Sequence, residues 1–433
     1  MSFFRIRFAL ITASLLFSSV VSVSAQIPVD TNAVSSSKLS LRDAILATLA
    51  HNPQLNSFQF RRQVLVGELQ TAGLKPAVRV SATLENALGS GEFSGAKSAE
   101  LTLALSSVIE LGDKRDARLG VVTERQQALA IEQRIVELDL LADVTRRFIE
   151  VAEAQQQLSL QRSTLTLVTE TANSIQRRID AGNTPDAELA RALANQFRMA
   201  IELRQAELRF DAAKIKLSSL WGVTEPTFTS VNADLLNIGE SGSLSGVLKS
   251  LSNNPDIQLF ASEARLRDAE VRLALSQRKS DIEWNVGVRR LEASKDSALV
   301  VGVSVPLFGE SRAASEVATA KANRLGVDNE RETALLQLRA QLVGLYQERQ
   351  AALFEVASLR NDVIPQLKKA VSGTRAAFDK GRYGYLELST AQRELLQAEA
   401  ALITAAANAH LLRAEIERLS GAATTAQNIE VSQ

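Results

Sequence analysis

Residues 298–314, ALVVGVSVPLFGESRAA, begin as a strand and end as the first turn of a helix. Val301, Val303, Val305 and Leu307 alternate with Gly302, Ser304 and Pro306, which is the two-residue period of a strand with one apolar face. Phe308 and Gly309 break that pattern. From Ser311 onward the apolar residues recur at helical spacing for about seventy residues. The chain contains such a join twice. Residues 101–117, LTLALSSVIELGDKRDA, run strand, Gly112 and charged helix start in the same order, and Gly112 and Gly309 lie 197 positions apart. A chain organised on this join sets strands at one end of very long helices. The reading is a membrane barrel that passes directly into a helical tunnel.

The strands reach membrane length. Residues 78–87 and 99–109 alternate apolar with small or polar side chains, as do 281–291 and 298–307. Each run approaches the 9–11 residues that cross a bilayer when tilted. The helices are longer still. Ile131, Ile135, Leu138, Leu141, Val144, Phe148 and Val151 step by threes and fours within a pattern covering 113–181, the seam of a coiled coil. At 1.5 Å per residue it spans roughly 100 Å. Gly182, Asn183, Thr184 and Pro185 stop it, and 186–220 returns antiparallel to Trp221 and Gly222. Ser40 reads as the N-cap of a first short helix, which Asn52-Pro53 interrupts.

The second half repeats this order. Asn253-Asn254-Pro255 echoes His51-Asn52-Pro53, 311–380 is the second long helix, Gly381-Arg382-Tyr383-Gly384 the second tight turn, and Ser420-Gly421 matches Trp221-Gly222. The matched points are offset by 197–202 residues, which argues for duplication. The predicted organisation is a secretory leader at 1–25, a first structural repeat at 26–222, a linker at 223–245, a second repeat at 246–421 and a tail at 422–433. The leader reading rests on Arg5 and Arg7, an apolar run at 8–23 and small residues at Val23 and Ala25, with cleavage before Gln26.

Composition removes other classes. Lys+Arg and Asp+Glu are both 49, so no basic excess points to nucleic acid. The chain holds no cysteine, hence no disulfide, thiolate metal site or lipidated cysteine. The two histidines, His51 and His410, are too few and too far apart in sequence for a histidine-rich zinc enzyme, and each is read as packed or solvated. No phosphate loop or nucleophile motif occurs, so no enzyme activity, cofactor or bound metal is expected.

Four strands cannot close a barrel, and open edges are not tolerated in lipid. Three copies supply twelve strands and a ring of antiparallel helices. The expected fold is therefore mainly α, with long antiparallel coiled-coil helices in an α-barrel and four β-strands per protomer completed as a trimeric β-barrel. The whole mature chain resembles the TolC family of outer membrane efflux proteins. The residues that carry the resemblance are Gly381-Arg382-Tyr383-Gly384-Tyr385-Leu386-Glu387-Leu388 with Ala391-Gln392-Arg393, the paired turn at Gly182, and Pro306-Leu307-Phe308. Ile109-Glu110-Leu111-Gly112-Asp113-Lys114-Arg115 with Arg118 is similar to the CzcC branch, which serves heavy-metal efflux; Asp113 stands where that pattern has a second glycine.

The resemblance implies a homotrimeric passive conduit through outer membrane lipid and periplasm, docked to a membrane fusion protein and an inner membrane pump of the resistance-nodulation-division type. The expected docking and aperture residues are Gly182, Asn183, Thr184, Pro185, Gly381, Arg382, Tyr383 and Gly384. Arg178, Asp180 and Asp379, beside these turns, are candidates for gating ion pairs. Two other readings stay open: the same conduit serving drugs or type I secretion, and a periplasmic coiled-coil scaffold without a pore.

Overall fold

A computed structural model of the chain describes residues 38–182, 185–239 and 242–421; the leader, the tail and the tip residues Asn183 and Thr184 fall outside the described residues. In chain order the elements are β1 (Lys38–Leu39), α1 (Leu41–His51), α2 (Pro53–Ala72), β2 (Arg79–Glu85), β3 (Glu100–Ile109), α3 (Lys114–Asp180) and α4 (Asp186–Ser218). Then follow β4 (Ser230–Val231), α5 (Leu244–Ser250), α6 (Pro255–Ser276), β5 (Ile282–Leu291), β6 (Ser297–Ser304), α7 (Gly309–Ser358), α8 (Ile364–Asp379) and α9 (Tyr385–Ser420).

The four longer strands form one antiparallel sheet in the order β2-β3-β5-β6. Its register fixes the faces. Leu103 opposes Val288 and Leu105 opposes Val286; on β6, Leu299 opposes Val288 and Val301 opposes Val286. With Val80 and Leu84 of β2 these residues make one exposed apolar face. The opposite face carries Arg79, Thr83, Thr102, Ser106, Glu283, Asn285, Arg289 and Ser304. Arg289 bridges Glu100 at 3.0 Å and Glu85 at 3.4 Å, and its Nε donates to the Thr102 hydroxyl at 3.0 Å. Gly287 is required here, since a Cβ would lie 2.5 Å from the Leu103 carbonyl oxygen.

Two strands are shorter than their alternation predicts. β2 ends at Glu85 because Asn86 turns to φ 55. β6 ends at Ser304 because Pro306 offers no N–H to the ladder.

On the strand side the helices lie in the lateral order α2-α3-α6-α7, and on the opposite side in the order α4-α3-α9-α8. The main core sits between these halves. Val144, Phe148 and Val151 of α3, Leu217 of α4 and Ala406 of α9 pack there with Leu39, Phe228 and Val231. The stretch read as a linker is ordered in its described part: β4 pairs in parallel with β1, and the Gln155 amide accepts from the Val231 N–H at 2.8 Å and donates to its carbonyl at 3.2 Å. Among the described helices α9 alone is long and apolar enough by composition to cross a bilayer. Its alanines raise that hydropathy, and Ala405, Ala406, Ala409 and Leu412 are buried in the bundle.

The Asn-Pro pairs are clamps. Asn52 accepts from the Gln54 N–H at 2.9 Å and donates its amide to the Leu220 carbonyl at 2.8 Å. Asn254 accepts from Asp256 at 2.7 Å and donates to Leu419 at 2.5 Å. Each asparagine caps one helix and holds the end of another, and both are buried.

Two expectations change. The second long helix is interrupted: a π-helical turn, Leu359–Val363, separates α7 from α8. Pro365 lacks the N–H, and its ring would clash with the carbonyl four residues back, so the turn widens. The equivalence of Gly112 and Gly309 also shifts. The left-handed residues that start the long helices are Asp113 (φ 57) and Phe308 (φ 63), and Gly309 is already helical.

Candidate functional site

Both long hairpins end in a left-handed glycine. The period of α3 stops at Asp180, Ala181 caps it, and Gly182 takes φ 74 while its N–H donates to the Ile179 carbonyl at 2.7 Å. Pro185 then takes the extended conformation that opens α4. At the second tip Gly381 takes φ 71 and donates to Phe378 at 2.9 Å, and the Arg382 N–H donates to Ala377 at 2.9 Å. Gly384 starts α9, its N–H donating to the Glu387 carboxylate at 3.1 Å. Arg382 and Tyr383 are exposed.

A small separate core joins the tips. Ala172 and Ile175 of α3 and Ala192 of α4 pack against Phe378, Tyr385 and Leu388. The Arg178 guanidinium lies 4.5 Å above the Phe378 ring and donates to its carbonyl at 2.7 Å. Asp180 accepts from Gln176 at 2.9 Å, and Asp379 pairs with Arg375 at 3.8 Å. Among the described residues, Arg178, Asp180 and Asp379 make no ion pair with one another within the chain.

Above the tips a groove of about 600 Å³ runs over α3 between α4 and α9. Leu160, Leu167, Arg191, Arg198, Tyr385 and Gln392 line it. Burial pushes the Tyr385 hydroxyl up from its ordinary value, against a hydrogen bond with Asn195 and the nearby Arg198.

The segment that resembles the CzcC branch folds the strand-to-helix join. Arg118 grips Glu110 through both nitrogens, at 2.5 and 3.0 Å, and reaches the Leu74 carbonyl at 3.4 Å. Arg115 donates to Gly73 at 2.7 Å. The buried Lys114 ammonium meets Asp281 at 2.8 Å, and the same carboxylate accepts from the Leu111 N–H at 3.1 Å. Lys114 stood out only as part of the stretch that resembles the CzcC branch, and its partner Asp281 not at all, because the pair is 167 residues apart. The histidines sit elsewhere: His51 meets the Ala47 carbonyl at 3.1 Å and His410 the Leu235 carbonyl at 3.1 Å. Burial lowers the pKa of His410, with Arg413 and Arg349 acting in the same direction.

The comparisons with known proteins agree with this geometry. The sequence profile of the family described as Outer membrane efflux protein matches residues 44–223 and 247–422. The chain is 23% identical to the cobalt-zinc-cadmium resistance protein CzcC of Cupriavidus metallidurans, over 74% of this chain and 77% of that protein. It is 27% identical to the nickel and cobalt resistance protein CnrC of the same organism, over 60% and 64% of the two chains. A crystal structure of CusC, studied for folding and transmembrane channel formation, superposes with TM-score 0.73 at 15% identity, covering 88% of this chain and 91% of that one. Two long helical hairpins, a four-stranded sheet at one end and a profile that matches both halves make this chain a member of the outer membrane efflux protein family.

Proposed function

We propose that three copies of this chain form one passive conduit that carries heavy-metal cations across the outer membrane. The observation that carries the substrate class is the likeness to relatives named for cobalt, zinc, cadmium and nickel resistance. The free edges of β2 and β6, on a sheet with one apolar face, support closure by other copies into a twelve-stranded barrel. The separate matches of the family profile to residues 44–223 and 247–422 support two structural repeats, taken at 26–222 and 246–421 around a linker at 223–245. The leader at 1–25 is removed on export.

The tips at Gly182–Pro185 and Gly381–Gly384 line the periplasmic aperture and dock a membrane fusion protein, which joins the conduit to an inner membrane pump of the resistance-nodulation-division type. Arg178, Asp180 and Asp379 tune the gate between copies, from positions beside both turns. The pump supplies the energy, and the conduit performs no covalent chemistry.

Growth of a deletion strain on a panel of metal salts and a panel of drugs, with complementation by the wild-type gene, tests this reading. Sensitivity confined to divalent metals and restored by the gene is expected. Sensitivity to drugs with no metal effect overturns the substrate class and leaves a conduit for drugs.

A further inference from the structure

Four segments cross between sheet and helices: 73–78, 110–116, 277–281 and 305–312. They touch one another in a row. Arg115 reaches the Gly73 carbonyl at 2.7 Å, a Cβ on Gly112 would lie 2.6 Å from the Lys279 Cγ, and one on Gly309 2.7 Å from the Ser280 hydroxyl oxygen. The apolar face of the sheet runs on through this level. Leu111 keeps the alternation of Leu105 and Ile109, and Leu307 that of Val301 and Val303. Both stay exposed, as does Phe308 at 79%. Trp284 stands opposite Ser107 and Val303 on the same face, at its helical end.

The charges at this level do not cancel. Lys114 is paired with Asp281, Arg278 with Glu310 and Arg118 with Glu110. Lys75, Lys279 and Arg312 are exposed, and among the described residues none of the three makes a side-chain hydrogen bond or an ion pair. With Arg115 they are four cations against two acids without a partner cation, Asp113 and Asp116. The far end of the sheet has no such excess: its loops, 86–99 and 292–296, carry three acids and two cations. Exposed apolar side chains with uncompensated cations just beyond them fit the boundary between the acyl chains and the anionic headgroups of a leaflet. Tryptophan favours the same depth.

We infer that this join is a collar seated on the inner leaflet of the outer membrane and selective for anionic phospholipid there. Lys75, Lys279 and Arg312 meet the headgroup phosphates, while Leu111, Leu307 and Phe308 enter the acyl boundary. Gly112 serves the collar by leaving room for the Lys279 stem to lie along the join. The inference rests on the reading of the sheet as the membrane-spanning part and adds which lipid its helical end prefers.

Trp284 reports on the collar directly. The chain has two tryptophans, and Trp221 is buried in the main core, so bromine on lipid acyl chains quenches Trp284 alone. The full chain is reconstituted in vesicles of phosphatidylcholine and phosphatidylglycerol at graded ratios, with bromine on one lipid or the other, and the quenching gives their relative affinity at the join. Each basic residue beside an anionic surface is worth about fivefold in partition, so a preference of about fivefold or more for phosphatidylglycerol is expected, shrinking in molar salt. The combined variant Lys75→Gln, Lys279→Gln, Arg312→Gln is expected to bind both lipids equally while melting in pure phosphatidylcholine at the wild-type temperature. If that variant does not fold, the three single variants take its place, each losing part of the preference. Equal affinity in the wild type, or a preference that survives the substitutions, overturns the collar and leaves the membrane-spanning sheet standing. No quenching of Trp284 by either lipid overturns both.

Discussion

The outgoing helices of the two long hairpins have nearly the same reach and are held differently. α3 is one unbroken helix of 67 residues, and its lower half is buried at intervals by Leu158, Thr164, Val168, Ala172 and Ile175. Its counterpart passes through the π turn at Leu359–Val363, and below that turn α8 buries only Ile364 and Phe378. One helix is fully buried at intervals along its lower half, the other only near its two ends, with Lys368 paired to Glu399 of α9 at 3.3 Å between them. With fewer fully buried side chains below its π turn, the second outgoing helix is expected to loosen before the first.

The largest test of this contrast is at Phe378. Phe378→Ala removes the lower anchor of α8 and the ring beneath Arg178, at a cost of about 3–5 kcal/mol for a buried phenylalanine. Hydrogen exchange is expected to rise throughout α8 while α3 keeps its protection. Equal loosening of both helices breaks the comparison.

The two asparagine clamps ask whether the two halves of the chain are held equally well where a short helix meets the end of a long one. Asn52→Ala and Asn254→Ala each delete a helix cap and orphan a carbonyl, about 1–3 kcal/mol apiece. Thermal melts of the detergent-solubilised channel should fall for both. Asn254 is the more completely buried, so its variant should fall further; the reverse order would mean that the clamp at Leu220 carries more of the stability than the clamp at Leu419.

The smallest effect belongs to Pro365→Ala. A proline inside a regular helix costs about 3 kcal/mol, but the wider turn has already relieved the clash, so the gain is about 1 kcal/mol. Exchange at residues 359–363 should slow. If it does not, the packing of Leu359 and Ile364 in the main core imposes the turn, rather than the proline.

Much of this architecture was legible because its signals are local. Period-two and period-3.6 patterns lie on the chain itself, and a glycine marks each tip, followed by Pro185 at the first and by Gly384 at the second. The polar and apolar strand faces follow from alternation once register is known. What escaped the sequence has identifiable causes. The helical period runs straight through Pro365, so the π turn left no gap in the pattern. Phe308 takes the left-handed turn in place of Gly309, which drew attention instead, whereas Asp113 shares it with Gly112. Asn52 reaches Leu220 across 168 residues and Asn254 reaches Leu419 across 165, and such side-chain to backbone bonds leave no periodic trace. At the tips the glycines, Pro185 and the charged Arg178 stood out, but the stacking of Arg178 on Phe378 did not, because Phe378 looks in sequence like any apolar residue of a long helix.

The two-residue pairing of β1 with β4 sets an order of events during biogenesis. Lys38 and Leu39 find their partners at Ser230 and Val231. At a synthesis rate of roughly 5–20 residues per second, Leu39, fully buried in the finished fold, waits on the order of ten to forty seconds for its partner strand. Through that interval Leu39 has α3 and α4 to pack against but not the strand that completes its backbone hydrogen bonds. A holdase that recognises short apolar segments would meet Leu39 at its most vulnerable moment, before β4 has emerged.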